Sequence, residues 1–425
     1  MKSDTLSGNK ATKKKKSWLN NIYITLDNVI HAVCFISVLL IGADIWGIDL
    51  GINIRFDQFF LCALTILLIV KDRYYLTWNV WIVVFAISAF ISAILAYNTS
   101  RGLIYYLSVL YNIFFLFYAF KNYVRWYGIK KFIAILRMSL YVQFVIMMIQ
   151  VLLLVCFNYE LPFLPSYGYF YNVPRFSLWF YEPSYLTTYL SFWFALAMYM
   201  FILCGDLGYI KDVVMSLLMF LFSTSTTGYV ALFLVIIIVY IMWLARGFTL
   251  KKLWFPLIVL ILFLIFRFAF SSVYELFFAR LFNQSLDEAT GGRVSLWSQT
   301  WEVFINNPLF GVGPGNYGLY IGDGTDAVPS NVTLDLLSTL GIFATIAFYG
   351  LTVSLCVKAY KINRKLKSYQ SKLLVACALG LLIFTVILQV NQGYLRLYHW
   401  MFFGIISGGL GEMEKCSTLL STDYS

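Results

Sequence analysis

Apolar runs long enough to cross a membrane recur along almost the whole chain. A transmembrane helix needs about 20 mostly apolar residues, and these runs do not show the alternation of a membrane β-barrel. Charged residues make up 12% of the 425 residues and hydrophobic residues 61%, whereas soluble domains are nearer to 25% and 45–50%, roughly. The sequence therefore predicts an all-α, polytopic membrane protein.

Twelve transmembrane helices are expected, and the polar segments between them divide the chain. Residues 1–18 form a basic tail, 19–271 hold the first nine helices with an outer aromatic loop at 158–185, and 272–330 form a large extracytoplasmic loop with an amphipathic helix. Residues 331–412 hold three more helices, and 413–425 form a second tail. The expected helices cover residues 22–42, 57–70, 78–97, 102–120, 131–157, 185–204, 212–224, 227–245, 253–271, 331–357, 373–390 and 397–412.

The lysines and arginines support this topology. With both termini in the cytoplasm, 24 of the 31 cations fall on the inner side, as the positive-inside rule expects. Every lysine is on that side, and every outer cation is arginine. Arginine presents a rigid donor fork that fits phosphate and carboxylate, which indicates an outer site for an anionic substrate, although arginines also serve as interfacial anchors. The outer arginines are Arg55, Arg101, Arg175, Arg267, Arg280, Arg293 and Arg396.

The outer loop at 158–185 is rich in tyrosine, and Pro162, Pro165 and Pro174 exclude a continuous helix. Aromatic rings are platforms for sugars, but they also form the ordinary belt at a membrane interface. Glu182 lies at the start of the next span, where a carboxylate is costly without a partner. It is therefore a candidate functional residue, and the alternative is a charge that favours the positive end of the helix dipole.

The second outer stretch runs from about Phe278 to Leu334. Arg293, Trp297, Thr300 and Trp301 have the spacing of one face of an amphipathic helix over residues 292–304. A glycine-rich segment follows at 308–318, without the Gly-Lys-Ser/Thr of a phosphate loop. We expect these glycines to let the backbone turn sharply and approach a ligand.

Other catalytic signatures are scarce. The two histidines are His31, which we interpret as an intramembrane residue, and His399, at the outer start of the last span. His/Cys metal spacings are absent, and the seven cysteines show no redox pairing, so we expect no metal, no cofactor and no disulfide framework. Asp335, at the outer end of its helix, could face an outer site.

Two motifs resemble the O-antigen polymerase and ligase superfamily. They are Arg293-x3-Trp297-x3-Trp301 followed by Asn307-Pro308-Leu309-Phe310-Gly311-x-Gly313-x-Gly315, and Pro174-Arg175 followed by Tyr181-Glu182-Pro183-Ser184. The resemblance implies a GT-C-like, metal-independent glycosyltransferase in the bacterial cytoplasmic membrane. Its substrate would be an undecaprenyl-diphosphate-linked oligosaccharide on the periplasmic or outer side. Membrane lipid, a chain-length regulator and a flippase would be its partners, and nucleic acid would not.

The resemblance and the residues together suggest roles at the site. Arg293 is the first candidate to stabilise the departing diphosphate, and Glu182 is the candidate base, with Asp335 and His399 in reserve. The expected substrate-binding residues are Arg175, Arg280, Arg396, Tyr181, Trp297, Trp301, Gly313 and Gly315.

Ligase members resemble this pattern but carry a histidine where the outer loop re-enters the membrane. Here that position reads Val328-Pro329-Ser330-Asn331-Val332, which favours the polymerase branch and leaves the base unnamed. A flippase for lipid-linked oligosaccharides is the main alternative. Flippases usually show repeated halves, whereas residues 1–212 and 213–425 differ in loop layout.

Overall fold

The fold comes from a computed structural model that describes residues 25–49, 53–164, 168–170, 173–269, 292–324, 327–391 and 393–422. The basic tail at 1–18 and residues 272–291 of the predicted outer loop, which include Arg280, lie outside these ranges. Within them the protein is helical, apart from two short antiparallel ribbons. In the first ribbon β1 (Gly47–Asp49) pairs with β2 (Asn53–Arg55), and in the second β3 (Tyr169–Phe170) pairs with β4 (Val173–Pro174).

The helices follow the apolar runs closely. Their bounds are α1 Leu26–Leu40, α2 Phe56–Val70, α3 Val80–Ile94, α4 Thr99–Tyr127, α5 Ile129–Phe157, α6 Pro183–Leu203, α7 Ile210–Ser223, α8 Thr226–Leu244, α9 Trp254–Ala269, α10 Arg293–Asn306, α11 Tyr317–Ile321, α12 Val332–Leu366, α13 Tyr369–Ile387 and α14 Leu397–Thr422. A π-helical turn, Asn112–Tyr118, lies within α4, and another ends α6.

Each of the twelve predicted spans overlaps one of these helices. Six helices in the described ranges are long and apolar enough to cross a membrane, namely α4, α5, α6, α8, α12 and the α13 segment that extends to Val390. Three shorter apolar helices are α1, α2 and α3. The chain is therefore an integral membrane protein, and the count of twelve spans and the cytoplasmic placement of the termini stay predictions.

Helix α6 lies at the centre of the bundle, packed against α7, α8 and α13. The rings of Phe192 on α6 and Phe402 on α14 stack with centroids 3.7 Å apart. Glycines let the neighbouring helix come close, because a Cβ on Gly404 would lie 2.6 Å from the backbone oxygen of Phe117, and one on Gly408 2.5 Å from that of Lys121. This small-x3-small spacing brings α14 against α4, as in other membrane helix pairs.

Helix α12 is broken near its start, and the break anchors the glycine-rich segment. Gly341 has φ +79°, which interrupts the helical ladder. The N–H of Ile342 therefore donates to Pro308 O (3.0 Å), and the carbonyl of Ser338, which that N–H would bind in a regular helix, accepts from Val312 N (2.8 Å). Non-helical backbone at this depth is tolerated because the protein satisfies its polar groups.

Of the seven cysteines, the six whose side chains are described are free, and none of these six forms a disulfide.

The charged side chains at the two ends of α1 belong to two different clusters. At its start, Asp27 forms ion pairs with Lys71 and Arg73. Beyond its end, Asp44 forms ion pairs with arginines alone. The mixed cluster and the arginine-only cluster thus lie at opposite ends of one helix.

Candidate functional site

A cavity of about 390 Å³ lies where the glycine-rich segment meets the starts of α4 and α12 and the segment that precedes α14. Its lining includes three arginines and one aspartate. The walls are formed by the arginines Arg55, Arg101 and Arg396, the tyrosines Tyr105, Tyr317 and Tyr394, the polar residues Asp335 and Thr339, and Gly315, Ala327, Val328, Pro329, Gly393 and Leu395.

Arg101 is held over the cavity by the first turn of α4. The side chain of Asn98 caps this helix by accepting from Arg101 N at 3.1 Å. The guanidinium then donates from Nε to the carbonyl oxygen of Gly315 at 2.5 Å and from Nη2 to the hydroxyl of Tyr105 at 3.2 Å. Its Cζ also lies 5.0 Å from the centre of the Tyr105 ring. These contacts fix the charge beside the glycine turn.

The glycine series is fitted to neighbouring parts of the protein. A Cβ on Gly311 would lie 2.4 Å from the backbone of Thr339, one on Gly313 2.2 Å from Ala96 Cβ, and one on Gly315 2.5 Å from the Tyr105 ring. All three glycines have positive φ. The segment can therefore close over α12 and the α3–α4 turn only because these side chains are missing.

The segment before α14 supplies the opposite wall. Trp400 donates from its indole N–H to the carbonyl oxygen of Tyr394 at 2.6 Å, and Asn112 donates to that of Leu395 at 3.0 Å. The first bond ties the segment to α14, and the second ties it to the π-helical turn of α4. Arg396 follows directly, with its guanidinium 3.9 Å above the centre of the Tyr185 ring.

Asp335 lies on the first turn of α12 and lines the cavity. Its carbonyl accepts from Thr339 Oγ1 at 2.5 Å. Its carboxylate makes no hydrogen bond or ion pair with any part of the chain that the structure describes, so it is available to a ligand. Burial, followed by the negative charge of Asp335, raises the pKa of Tyr394 well above its usual value. Tyr394 therefore remains a protonated hydrogen-bond donor.

Tyr317 connects the cavity with α10. Its hydroxyl lies 2.8 Å from Thr300 Oγ1 on the buried face of that helix. Burial raises the pKa of Tyr317, and the Thr300 contact opposes part of that shift.

Nothing in the described ranges groups three or more His, Cys, Asp or Glu side chains in a way that could hold a metal ion.

Comparison with known families supplies the next observation. Residues 213–349 match the family described as O-antigen ligase. Over this segment the chain is similar to the O-antigen polymerase and ligase superfamily. The matched segment contains the cavity residues Gly315, Tyr317, Asp335 and Thr339 as well as the broken part of α12. No curated protein matches the chain significantly. Members of this superfamily are membrane glycosyltransferase and ligase enzymes, so the cavity is the candidate active site.

The other residues expected from the superfamily's motifs lie outside the cavity lining. Glu182 precedes the first turn of α6 and accepts from Ser184 Oγ at 2.9 Å. Arg293 begins α10. Arg175 follows β4, and Tyr181 is an exposed residue whose ring stacks on that of Tyr185. Of the predicted substrate-binding residues, Arg396 and Gly315 line the cavity, and Gly313 packs beside it.

Helix α10 does not present its four predicted residues on one surface. Thr300 is buried against Tyr317, whereas the neighbouring Trp301 is 47% exposed. Adjacent residues on a helix differ by about 100° in direction, which is enough to separate a buried residue from an exposed one. Trp297 is partly buried.

His399, the reserve candidate for the base, is fully buried on α14 among Phe348, Phe384 and Phe403.

Several cavity residues were not among the predicted site residues. Arg55 and Arg101 belong to the set of outer arginines, so the charge pattern contained the signal, but nothing in the local sequence ranked them above Arg175 or Arg293. Tyr105, Tyr317 and Tyr394 carried no motif of their own. They come together through contacts between distant segments.

Proposed function

We propose that the protein is a polysaccharide polymerase of the bacterial cytoplasmic membrane. It transfers the growing glycan from undecaprenyl diphosphate onto the next lipid-linked repeat unit at the outer face, building O-antigen, capsule or exopolysaccharide. The observation that carries this proposal is the gathering of Arg55, Arg101 and Arg396 with Asp335 in one cavity of a chain that is similar to this superfamily.

Three arginines suit the lipid diphosphate. Guanidinium groups bind phosphate oxygens through charge-assisted hydrogen bonds, and a partly dehydrated site strengthens them. The charge on the diphosphate increases as it leaves, so cations at this end of the cavity stabilise the transition state more than the ground state. No step of this transfer requires the chain to form a covalent intermediate.

Asp335 is the best-placed base for the acceptor. In the transfer, the bond between the sugar C1 and the phosphate oxygen breaks, and C1 forms a bond with an acceptor hydroxyl oxygen. The proton of that hydroxyl passes to the Asp335 carboxylate, and undecaprenyl diphosphate departs with the bonding electrons. Thr339 and Tyr394 lie in the same lining and can hold sugar hydroxyls.

The lining favours a polymerase over a ligase. No histidine occurs among the described residues that form the cavity, and at the point of membrane re-entry Val328 and Pro329 occupy its wall. Ligation of the finished glycan to another acceptor is the second candidate, because the matched family is described as O-antigen ligase. Both reactions use the same lipid diphosphate donor.

A deletion strain separates the possibilities. A polymerase deletion leaves single repeat units on the cell surface and removes the ladder of longer glycans on a gel. Long glycan that stays on the lipid carrier indicates a ligase instead. Loss of every outward-facing repeat unit indicates a flippase, and an unchanged ladder contradicts all three. We expect single repeats, and expect a chain-length regulator and a flippase to act with the protein.

A further inference from the structure

Asp44 bridges two arginines of the cavity wall. It follows α1, and its side chain is 9% exposed. Oδ1 accepts from Arg55 Nη1 at 2.5 Å, and Oδ2 accepts from Arg396 Nη1 at 2.9 Å. Both arginines line the cavity, whereas Asp44 does not. The carboxylate therefore contacts both guanidinium groups without being part of the cavity lining.

This arrangement leaves donors free for a ligand. A guanidinium has five N–H groups in a fixed plane, and each of these two bonds to Asp44 engages one nitrogen. Because the carboxylate has two oxygens at a fixed separation, it sets how far apart the two planes are. Without it, two like charges that share one wall would repel each other.

Further contacts fix the orientation of the pair. Arg396 lies flat on the Tyr185 ring at 3.9 Å, and its backbone N–H donates to Gly393 O at 3.0 Å. Arg55 Nε lies 3.4 Å from a carboxylate oxygen of Asp57, which is fully buried at the start of α2. Asp44 supplies the contact that joins these two otherwise separate arrangements.

We infer that Asp44 is a positioning residue that sets the spacing of Arg55 and Arg396 so that the pair fits the two phosphates of a lipid diphosphate. This inference rests on the proposed function of the cavity. It assigns Asp44 no contact with substrate. A carboxylate with a purely structural role would affect folding but would leave the preference for two phosphates over one unchanged.

The test measures that preference in purified full-length protein. Binding of farnesyl diphosphate and of farnesyl monophosphate is compared for the wild type and Asp44→Asn. Losing a charge-assisted hydrogen bond to a phosphate weakens binding by about 10-fold or more. We expect a loss of this size for the diphosphate in Asp44→Asn. The monophosphate, which needs one guanidinium, should lose much less. Equal losses for the two probes, or none, overturn the inference.

Asp212→Asn is the matched control. Asp212 is also a buried carboxylate, which accepts from Arg137 Nε at 2.8 Å and from Tyr141 Oη at 2.9 Å, but none of these three lines the cavity. We expect it to change neither affinity. A drop in the diphosphate preference for this variant as well would show that any broken ion pair has the effect, and would overturn the inference.

A second set of variants covers the case in which Asp44→Asn folds poorly. The double variant Arg55→Gln/Arg396→Gln lacks both ion-pair partners of Asp44. Adding Asp44→Asn to it breaks no further ion pair and should not destabilise the protein. If Asp44 acts through the two arginines, the addition should leave diphosphate affinity unchanged. A further loss contradicts the inference. A wild-type protein that binds neither probe, and whose deletion leaves the glycan ladder intact, would instead contradict the proposed function.

Discussion

Gly341 in the broken part of α12 faces the carbonyl oxygen of Leu309, and a Cβ at this position would lie 2.1 Å from that oxygen. The glycine thus serves two purposes. Its φ of +79° breaks the helix and exposes hydrogen-bonding groups, and its missing side chain admits the segment that uses them. The cavity depends on both, because that segment continues to Gly315 and Tyr317 in the wall.

We expect Gly341→Ala to destabilise the protein and abolish glycan polymerisation. A left-handed backbone and a direct clash with main-chain atoms together should cost at least about 3 kcal/mol. Gly205→Ala is the control, because Gly205 also has positive φ (+70°) but has no atom within 4 Å of the added Cβ. It should cost about 1–2 kcal/mol. Thermal unfolding in detergent measures both, and equal losses would contradict the role of the close contact.

The helices could be predicted from the sequence, since a bilayer-length apolar run can satisfy its backbone only as a helix. Helix α12 shows the limit of that argument. Its apolar character predicted one span, and the break at Gly341 was missed because a lone glycine within an apolar run is compatible with a continuous helix. The break is determined by the segment around Pro308, which lies more than thirty residues earlier in the sequence.

Arg101 should be required for transfer, and lysine should replace it poorly. Lysine keeps the charge but cannot donate to Gly315 O and to the Tyr105 hydroxyl from one rigid plane. A charge-assisted hydrogen bond of about 1.5–3 kcal/mol corresponds to a loss of roughly 10- to 100-fold. We expect Arg101→Lys to lower kcat/KM by this factor, measured with lipid-linked repeat units.

Arg267→Lys provides the comparison for Arg101→Lys. Arg267 is another arginine predicted on the outer side, exposed near the end of α9 and outside the cavity lining. Its substitution should leave kcat/KM unchanged. Arg293→Lys tests the motif-based candidate on α10 in the same assay. A large loss for Arg293→Lys with full activity for Arg101→Lys would move the diphosphate site from the cavity to α10.

The sequence indicated the kind of residue at the site but not which ones. The restriction of outer cations to arginine pointed to an anionic ligand, and three of those seven arginines line the cavity. Two of the three, Arg55 and Arg396, are joined by Asp44, which connects positions 55 and 396 across most of the chain. Contacts over such separations leave no local pattern, so the sequence alone could not show that these three arginines share one cavity.

The base can be identified by comparing Asp335→Asn with Glu182→Gln. Asp335 lines the cavity, whereas Glu182 lies before α6 and accepts from Ser184. Loss of a general base lowers kcat by about 10²–10⁴-fold. We expect this loss for Asp335→Asn with little change in KM, and a smaller effect for Glu182→Gln. The reverse result would restore Glu182 as the base.

His399 should be dispensable for catalysis, although it lies in the first turn of α14 near Arg396. Its ring is fully buried, with centroids 4.7, 4.9 and 4.6 Å from those of Phe348, Phe384 and Phe403, and neither ring nitrogen has a hydrogen-bond partner among the described residues. An imidazole enclosed by three phenyl rings cannot reach a substrate hydroxyl. His399→Phe preserves the aromatic packing. It removes an unsatisfied polar group, whose burial costs about 1–3 kcal/mol, but the larger phenyl ring crowds its neighbours at a similar cost. We therefore expect a glycan ladder of wild-type length and an unfolding free energy within about 2 kcal/mol of the wild type. A well-folded variant that makes only single repeat units would show that the imidazole takes part in transfer.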